Sequence, residues 1–401
     1  MSNENLRSAP ACTITPKKDP VNTMKAVEWY GAKDVRVVDR PRPLITDPAD
    51  IILKVTSTAI CGSDLHIYLG YVPGMEKGDV LGHEFMGIVE DVGPAVKHLR
   101  KGQRIVTAFD IGCHKCFYCT DHKLFSSCDN TNDSKEQELL YGHRTSGGWD
   151  GGQAQFVRVP FADENTLRVP DSLSDEKVLF LSDIFPTGWH ATELGEVSEG
   201  QTVAIWGCGP VGMLAALSAL YKKARRVILI DKEQYRLDYA KKHLPGIETI
   251  NFSKRSTLEQ LKELVPNGPD VGIEAVGFHY ARSILHKAQM LVGLETDPSD
   301  VLNEIIMAVR KGGMISIVGV YVGTANGFNI GAFMEKGLRM AAGQTPCQKY
   351  WPTLLPLIEN GTLDPSFVLT HTVPLEKASE MYKIFNEKED NCVKVILKPH
   401  S

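Results

Sequence analysis

From Thr202 to Tyr221 the chain passes without a charge, and Gly207, Gly209, Pro210 and Gly212 fall in the middle of the run. Length alone would let such a run cross a bilayer. The glycines and proline break it instead into an apolar strand (Thr202–Trp206), a tight turn and a buried helix (Val211–Tyr221). A second apolar strand is predicted at Arg226–Ile230. Gln234–Leu244 then shows helical spacing, with Leu237, Ala240 and Leu244 on one face. Val271–Ala275 and Met314–Val320 read as further buried strands. Strands alternating with helices predict a parallel, doubly wound sheet.

The turn itself reads Gly-x-Gly-x-x-Gly, from Gly207 to Gly212, and Asp231 ends the next strand. Each part has a physical role in holding a dinucleotide. Gly207 allows the tight turn, Gly209 lets the backbone approach a pyrophosphate, and Gly212 lets helix and strand pack closely. The helix start, at Pro210 and Val211, offers free N–H groups and the positive end of its dipole. Asp231 can accept hydrogen bonds from both ribose hydroxyls and would repel a 2′-phosphate, which favours NAD over NADP. Lys232 and Arg236 lie near enough to bear on that choice. Glycine turns of this kind also occur without a ligand; the strand–turn–helix context is what selects the binding reading here.

A different texture precedes residue 186. Met24–Val38 alternates like a hairpin, Ile51–Thr56 reads as a short strand, and Gly82–Gly93, Gln103–Ala108 and Gln153–Val159 continue the pattern. The expected organisation is a flexible extension over 1–23, a barrel-like β module over 24–186, the cofactor module over 187–345, and a mixed C-terminal segment over 346–401. In that segment helices are expected at Tyr350–Glu359 and Leu375–Asn386, with Pro352 in a first turn and Pro356 kinking the helix, before a last strand at Val393–Leu397. A chain of 401 residues suits two cores better than one. A net charge of −5 argues against a nucleic-acid binder. The first residues hold no apolar core of the kind a secretory leader needs, so a cytoplasmic location is expected. Trp149 and Trp189 read as core or as pocket lining.

Nine cysteines are unevenly spread, with Cys113, Cys116, Cys119 and Cys128 close together. A disulfide framework rarely looks like this; metal ligation in a reducing compartment does. Four thiolates at short spacing can wrap tetrahedrally around Zn²⁺ and leave no open position, so this site would pin a loop. His114 and His122 read as solvated loop residues.

These features together resemble the zinc-dependent medium-chain alcohol dehydrogenases, over about residues 24 to 399. Cys61-Gly62-Ser63-Asp64-Leu65-His66 is similar to the segment that gives the first catalytic zinc ligand, and Gly82-His83-Glu84-Phe85-Met86-Gly87 to the one that gives the second. The cysteine cluster is similar to the family's structural zinc lobe, with one departure. Cys128 stands one position beyond the usual fourth cysteine, where Ser127 cannot serve, and a one-residue bulge would restore the set. Leu181–Gly188 resembles the segment that carries the third catalytic ligand, with Asp183 in the place often held by Cys or Glu. Asp183, the run Gly148–Ala154, the long Gly277–Asn303 segment and Gly343-Gln344-Thr345-Pro346 resemble the glutathione-independent formaldehyde dehydrogenase and formaldehyde dismutase branch.

The resemblance implies a GroES-like β-barrel catalytic domain beside a Rossmann cofactor domain. It implies two zinc ions per chain, one on Cys61, His83 and Asp183 with an open fourth position. Glu84 is the alternative third ligand, or a group acting behind the metal. Ser63 and His66 match the family's proton relay: serine passes a proton by rotating its hydroxyl, and histidine titrates near neutrality. The implied activity is hydride transfer from an alcohol or aldehyde hydrate to NAD, with formaldehyde or a short-chain aldehyde or alcohol as substrate. Secondary-alcohol or polyol oxidation is the alternative, and a silent NAD-binding protein a third. Family likeness implies a homodimer or homotetramer with no nucleic-acid or membrane partner.

Overall fold

The computed structural model describes residues 16–72, 74–131, 149–277, 298–321 and 324–401. Gly148, Cys12, most of the Gly277–Asn303 segment and much of the expected extension lie outside the described residues. The chain divides into two compact units, Met1–Pro186 with Thr345–Ser401, and Thr187–Gln344. No described helix is long and apolar enough to cross a membrane.

Alternating residues in the first part form β1 (Lys18–Gly31), β2 (Asp34–Pro43), β3 (Ile51–Ile60), β4 (Asp79–Val80), β5 (Phe85–Val92), β6 (Arg104–Thr107), β7 (Phe156–Val159) and β8 (Thr166–Arg168). The apolar runs form β9 (Thr202–Trp206), β10 (Arg226–Asp231), β11 (Glu248–Asn251), β12 (Val271–Glu274), β13 (Met314–Ile317) and β14 (Arg339–Ala342). Two strands follow, β15 (His371–Pro374) and β16 (Val395–Lys398).

In the first unit, β1 pairs with β2 as a hairpin and with β4. β1 begins at Lys18, ahead of the expected Met24, and its register breaks between Lys18 and Thr23. There Asp19 Oδ1 accepts the Val21 and Asn22 N–H groups, so the end of the expected extension is part of a bulged strand. The larger sheet runs β15-β16-β3-β5-β6-β8, with β7 also paired to β3. β3 is its central strand, antiparallel to β5, β7 and β16. It extends past the expected Thr56 because its polar end is satisfied where it is buried. Ser57 Oγ donates to Asp175 and Thr58 Oγ1 to the Glu84 carbonyl, at 2.6 and 2.8 Å.

The second unit is an all-parallel sheet in the order β11-β10-β9-β12-β13-β14. Counted from β9, that is 3-2-1-4-5-6, the doubly wound Rossmann order, whose direction reverses between β9 and β12. Every residue of β9, β12 and β13 is buried, as expected for strands covered on both faces. β11 and β14 were not apparent in the sequence: both are short edge strands with half-buried or exposed positions. Gly207 ends β9 at the reversal point, and the helix Pro210–Tyr221 opens with Gly209 as its N-cap and Pro210 in its first turn. Trp189 is core here, tilted on Tyr221 with ring centroids 5.7 Å apart.

The C-terminal helix Cys347–Glu359 starts earlier than expected and runs through both Pro352 and Pro356. Its first turn is tied to the segment leading into the cysteine cluster. Gln348 Nε2 donates to Asn165 Oδ1 at 3.0 Å and to the Asp110 carbonyl at 3.3 Å. With the amide turned the other way, Gln348 Nε2 donates instead to the Asp110 carboxylate, 2.9 Å from Oδ2 and 3.3 Å from Oδ1, and this orientation suits its neighbours better. Burial pushes the Asp110 carboxyl up to about 7.

Two stability tests follow from these contacts. A Cβ at Gly212 would lie 1.9 Å from the Gly207 carbonyl oxygen, whereas one at Gly209 would meet nothing within 4 Å. Denaturant unfolding should show Gly212→Ala destabilised by about 1–3 kcal/mol and Gly209→Ala unchanged within about 0.5 kcal/mol. For Asp110, folding raises the pKa from 3.8 to about 7, so the folded state binds the proton more tightly. The group's contribution is therefore full below about pH 4 and lost as pH rises through 7. Asp110→Asn keeps a donor without the charge. Relative to wild type it should gain on the order of 2–4 kcal/mol above pH 7 and nothing near pH 4; equal unfolding midpoints at pH 8 would contradict this.

Candidate active site

Two buried groups of metal-ligating side chains stand out among the described residues, Cys61 with His83, Glu84 and Asp183, and Cys113 with Cys116, Cys119 and Cys128. Within each group the donor atoms lie within 4.8 Å of one another. Both groups belong to the first unit.

The central strand delivers the first group. Cys61 follows β3 and caps the helix Gly62–Tyr68. His83 and Glu84 precede β5 and sit beside the end of β3, where the Ala59 N–H donates to the Glu84 carbonyl at 2.9 Å. Asp183 ends the 3-10 turn Leu179–Ser182. That turn is fixed from outside. Phe109 N–H donates to the Ser182 carbonyl at 2.9 Å, Trp351 Nε1 to the Leu181 carbonyl at 2.9 Å, and Cys347 Sγ to the Ser182 carbonyl at 3.3 Å.

His83 Nε2 lies 3.2 Å from Asp183 Oδ2, and Cys61 Sγ lies 3.9 Å from the same oxygen. A tetrahedral zinc would place such nitrogen–oxygen and sulfur–oxygen pairs about 3.4 and 3.6 Å apart. The donor set and its spacing therefore fit Zn²⁺. On the far side of the imidazole, Asp64 Oδ1 sits 3.5 Å from His83 Nδ1. A carboxylate there favours the tautomer whose bare nitrogen is Nε2. Burial opposes charging His83, but the Asp64 charge and hydrogen bonds to Asp183 and Asp64 hold its pKa well above the usual histidine value. The pocket demands a positive charge.

Glu84 is treated differently. Its Oε1 accepts from Lys394 Nζ, in a pair with both side chains fully buried. Burial still leaves the Glu84 carboxyl raised, with Lys394 pulling the other way. Its Oε2 has no hydrogen-bond partner. Lys394 was assigned no role from the sequence. The available signal was a single lysine inside Val393–Leu397, an otherwise apolar strand. Val395 pairs with Ile60, which brings Lys394 alongside Cys61.

Ser63 and His66 lie on the helix Gly62–Tyr68, one turn apart and therefore on neighbouring positions of its surface. Ser63 Oγ is 3.9 Å from Cys61 Sγ. Both residues are half-buried, between the interior donor set and solvent.

In the second group Cys116 and Cys128 sulfurs are 3.9 Å apart, and Cys113 Sγ accepts from Lys115 N–H at 3.4 Å and Asn130 Nδ2 at 3.1 Å. The turn Phe125–Ser127 takes up the extra residue: Ser127 is exposed and Cys128 points inward. Hydrogen bonds from Cys119 and Cys128 pull the Cys113 thiol far down, and the hydrogen bond with Cys113 pushes Cys119 up. Four thiolates cannot share this space without a cation, so the group fits a closed zinc site. His122 is exposed, but His114 is not the solvated residue expected. It stacks on Phe125 with centroids 4.1 Å apart, and burial lowers its imidazole to about 4.

In the second unit, Asp231 Oδ2 accepts the Cys208 N–H at 2.7 Å, and Oδ1 accepts those of Lys232 and Glu233 at 2.7 and 3.0 Å. The carboxylate thus fastens the glycine turn to the end of β10, and Oδ2, with one donor, keeps a lone pair for a ribose hydroxyl. The open space above Gly209 admits a pyrophosphate, so this turn fits a dinucleotide. Arg236 contacts the turn through its main chain, where its carbonyl accepts from Cys208 Sγ at 3.4 Å, while its guanidinium donates to Tyr235 Oη at 3.0 Å.

Comparison with known proteins agrees with this chemistry. Residues 47–171 match the alcohol dehydrogenase GroES-like domain family. A zinc-type alcohol dehydrogenase-like protein of Schizosaccharomyces pombe is 43% identical over 392 residues, 95% of this chain and 92% of its own. A glutathione-independent formaldehyde dehydrogenase of Bacillus subtilis is 35% identical over 369 residues, 87% of each chain. Among solved structures, an alcohol dehydrogenase from Thermus sp. ATN1 matches with a TM-score of 0.81 at 31% identity, over 94% of this chain and 99% of that one. With a GroES-like module, a Rossmann sheet and two zinc-compatible donor sets on one chain, this protein belongs to the zinc-type alcohol dehydrogenase family of oxidoreductases, among whose members are formaldehyde dehydrogenases.

Proposed function

We propose that the chain removes hydride from a small alcohol or aldehyde hydrate with NAD as acceptor, that formaldehyde is its substrate, and that it carries two zinc ions. The observation that supports this most is the convergence of Cys61 Sγ, His83 Nε2 and Asp183 Oδ2 on one buried point. Zinc held there supplies Lewis-acid polarisation of the substrate oxygen, and NAD at the Gly207–Gly212 turn supplies the hydride acceptor.

The remaining work falls to the protein. Ser63 takes the hydroxyl proton of the substrate and passes it to His66, whose half-exposed ring releases it to solvent. Asp64 orients His83, and Lys394 holds Glu84 behind the donor set. Cys113, Cys116, Cys119 and Cys128 fix the loop that follows Phe109, whose ring stands edge-on to His83 at 6.2 Å. Asp231 orients the ribose and selects NAD over NADP.

Formaldehyde is favoured on two grounds. Its hydrate is an alcohol, so oxidation to formate uses the same donor set and the same relay. The second ground is the carboxylate at Asp183, together with the 35% identity to a formaldehyde dehydrogenase.

Metal analysis of the purified protein should give two zinc ions per chain. Asp183→Ala should retain one, at the cysteine group, with the fold intact and turnover reduced by about 10³-fold or more; two zincs and a wild-type rate in that variant would exclude Asp183 as a ligand. Formaldehyde and NAD, without glutathione, should yield formate. Turnover of simple alcohols with no formate would remove formaldehyde from the proposal and leave the family's chemistry intact.

A further inference from the structure

We propose that Tyr382 and Gln153 are positioning residues that set the orientation of His83 through Asp64. The inference rests on the reading that Cys61, His83 and Asp183 hold zinc.

Tyr382 lies on the C-terminal helix Ala378–Glu387, far from the donor set in sequence, and is fully buried. Its hydroxyl donates to Gln153 Oε1 at 2.8 Å. That bond decides which way the amide faces. With Oε1 toward the phenol, Nε2 points the other way, where it donates to the Ala59 carbonyl and to Asp64 Oδ2, both at 3.1 Å. Gln153 is fully buried, and its one acceptor and both its amide hydrogens are used. Reversing the amide would set its oxygen against a carboxylate and a carbonyl, and its NH₂ against a phenol that would have to become the acceptor.

Asp64 Oδ2 also accepts the Cys61 N–H at 2.9 Å. Two donors therefore fix one oxygen of the carboxylate, and the other is left aimed at His83 Nδ1, 3.5 Å away. A proton on Nδ1 leaves Nε2 bare, and Nε2 is the nitrogen beside Asp183. Gln153 also meets the residue before His83 directly. A Cβ at Gly82 would lie 2.4 Å from Gln153 Cγ, so this side chain fills the space against the Gly82 backbone. Burial, helped by the Asp64 charge, pushes the Tyr382 phenol well above the usual tyrosine value, which keeps its proton in place as the donor. The relay reads Tyr382 to Gln153 to Asp64 to His83, and it joins the C-terminal segment to the donor set.

The test is zinc retention. Tyr382→Phe removes one hydroxyl and keeps a ring that packs 5.5 Å from Tyr68. Gln153→Met keeps the length of the side chain and removes its acceptor and both donors. Wild type and both variants, loaded with zinc, are titrated with a chromophoric chelator, and Asp183→Ala assigns the two metal steps. Both variants should hold the zinc of Cys61, His83 and Asp183 about tenfold more weakly. The zinc of the cysteine group should be held as in wild type, and it serves as an internal control. Wild-type affinity at both sites in both variants would overturn the inference. So would equal weakening at both sites with a lowered unfolding midpoint, because that is a loosened fold and not a lost orientation. A wild-type protein with only the cysteine-group zinc would defeat the metal reading itself, and this inference with it.

Discussion

Acidic side chains gathered in a buried interior are the constraint on which the first unit depends. Cys61, Asp64, Glu84, Asp110 and Asp183 are all buried within the same core. An unpaired buried anion is costly enough that a protein must answer each one. This chain uses four different answers. Glu84 is paired with Lys394. Asp64 is hydrogen bonded by Cys61 N–H and Gln153 Nε2. Asp110 holds a proton far more readily than a free carboxyl, burial raising it to about 7, and accepts from Gln348. For Cys61 and Asp183, on the proposed reading, the answer is a metal cation. Three of the acidic groups are answered by the protein itself, which on the proposed reading leaves Cys61 and Asp183 to the cation.

The topology that makes this possible is simple. β3 is the central strand, with β5 on one side and β16 on the other. Cys61 leaves its end, His83 and Glu84 enter along β5, and Lys394 enters along β16. Strand pairing thus places all four of these side chains, each one or two residues beyond the last paired positions. Asp183 comes from outside the sheet, and its turn is correspondingly held by three separate donors, from Phe109, Cys347 and Trp351. A side chain that the sheet does not place is placed by packing.

The legible parts of the sequence were those whose physics is local. The strand–turn–helix around Gly207 was readable because the glycines, the proline and the apolar periods sit side by side; β9 starts and stops where the pattern does. The cysteine cluster was readable from spacing, and the surplus residue that the family resemblance pointed to is taken up by the Phe125–Ser127 turn. The silent parts were long-range. Lys394 lies 310 positions from Glu84, and Tyr382 lies 229 from Gln153. Nothing near either residue announces its partner. β11 and β14 were missed for a different reason: edge strands need no apolar face on the outer side, so their residues carry little alternation. The bulged start of β1 was hidden by polar residues that pair through the backbone alone.

The contrast between Asp183 and Glu84 follows from the same charge argument. Both carboxylates reach the donor cluster, and sequence resemblance left either able to act as third ligand. Lys394 separates them. It donates to Glu84 Oε1, so the charge of that carboxylate is already answered. Asp183 Oδ2 faces His83 Nε2 and Cys61 Sγ, the two donors a zinc would share with it. A carboxylate gives a metal less electron density than a thiolate does. A zinc bound by one thiolate, one imidazole and one carboxylate polarises a substrate oxygen more than one bound by two thiolates. On the proposed reading that suits an aldehyde hydrate, whose second hydroxyl makes it the more weakly donating alcohol. On the proposed reading the buried lysine, by pairing with Glu84, favours Asp183 as the carboxylate of the zinc set.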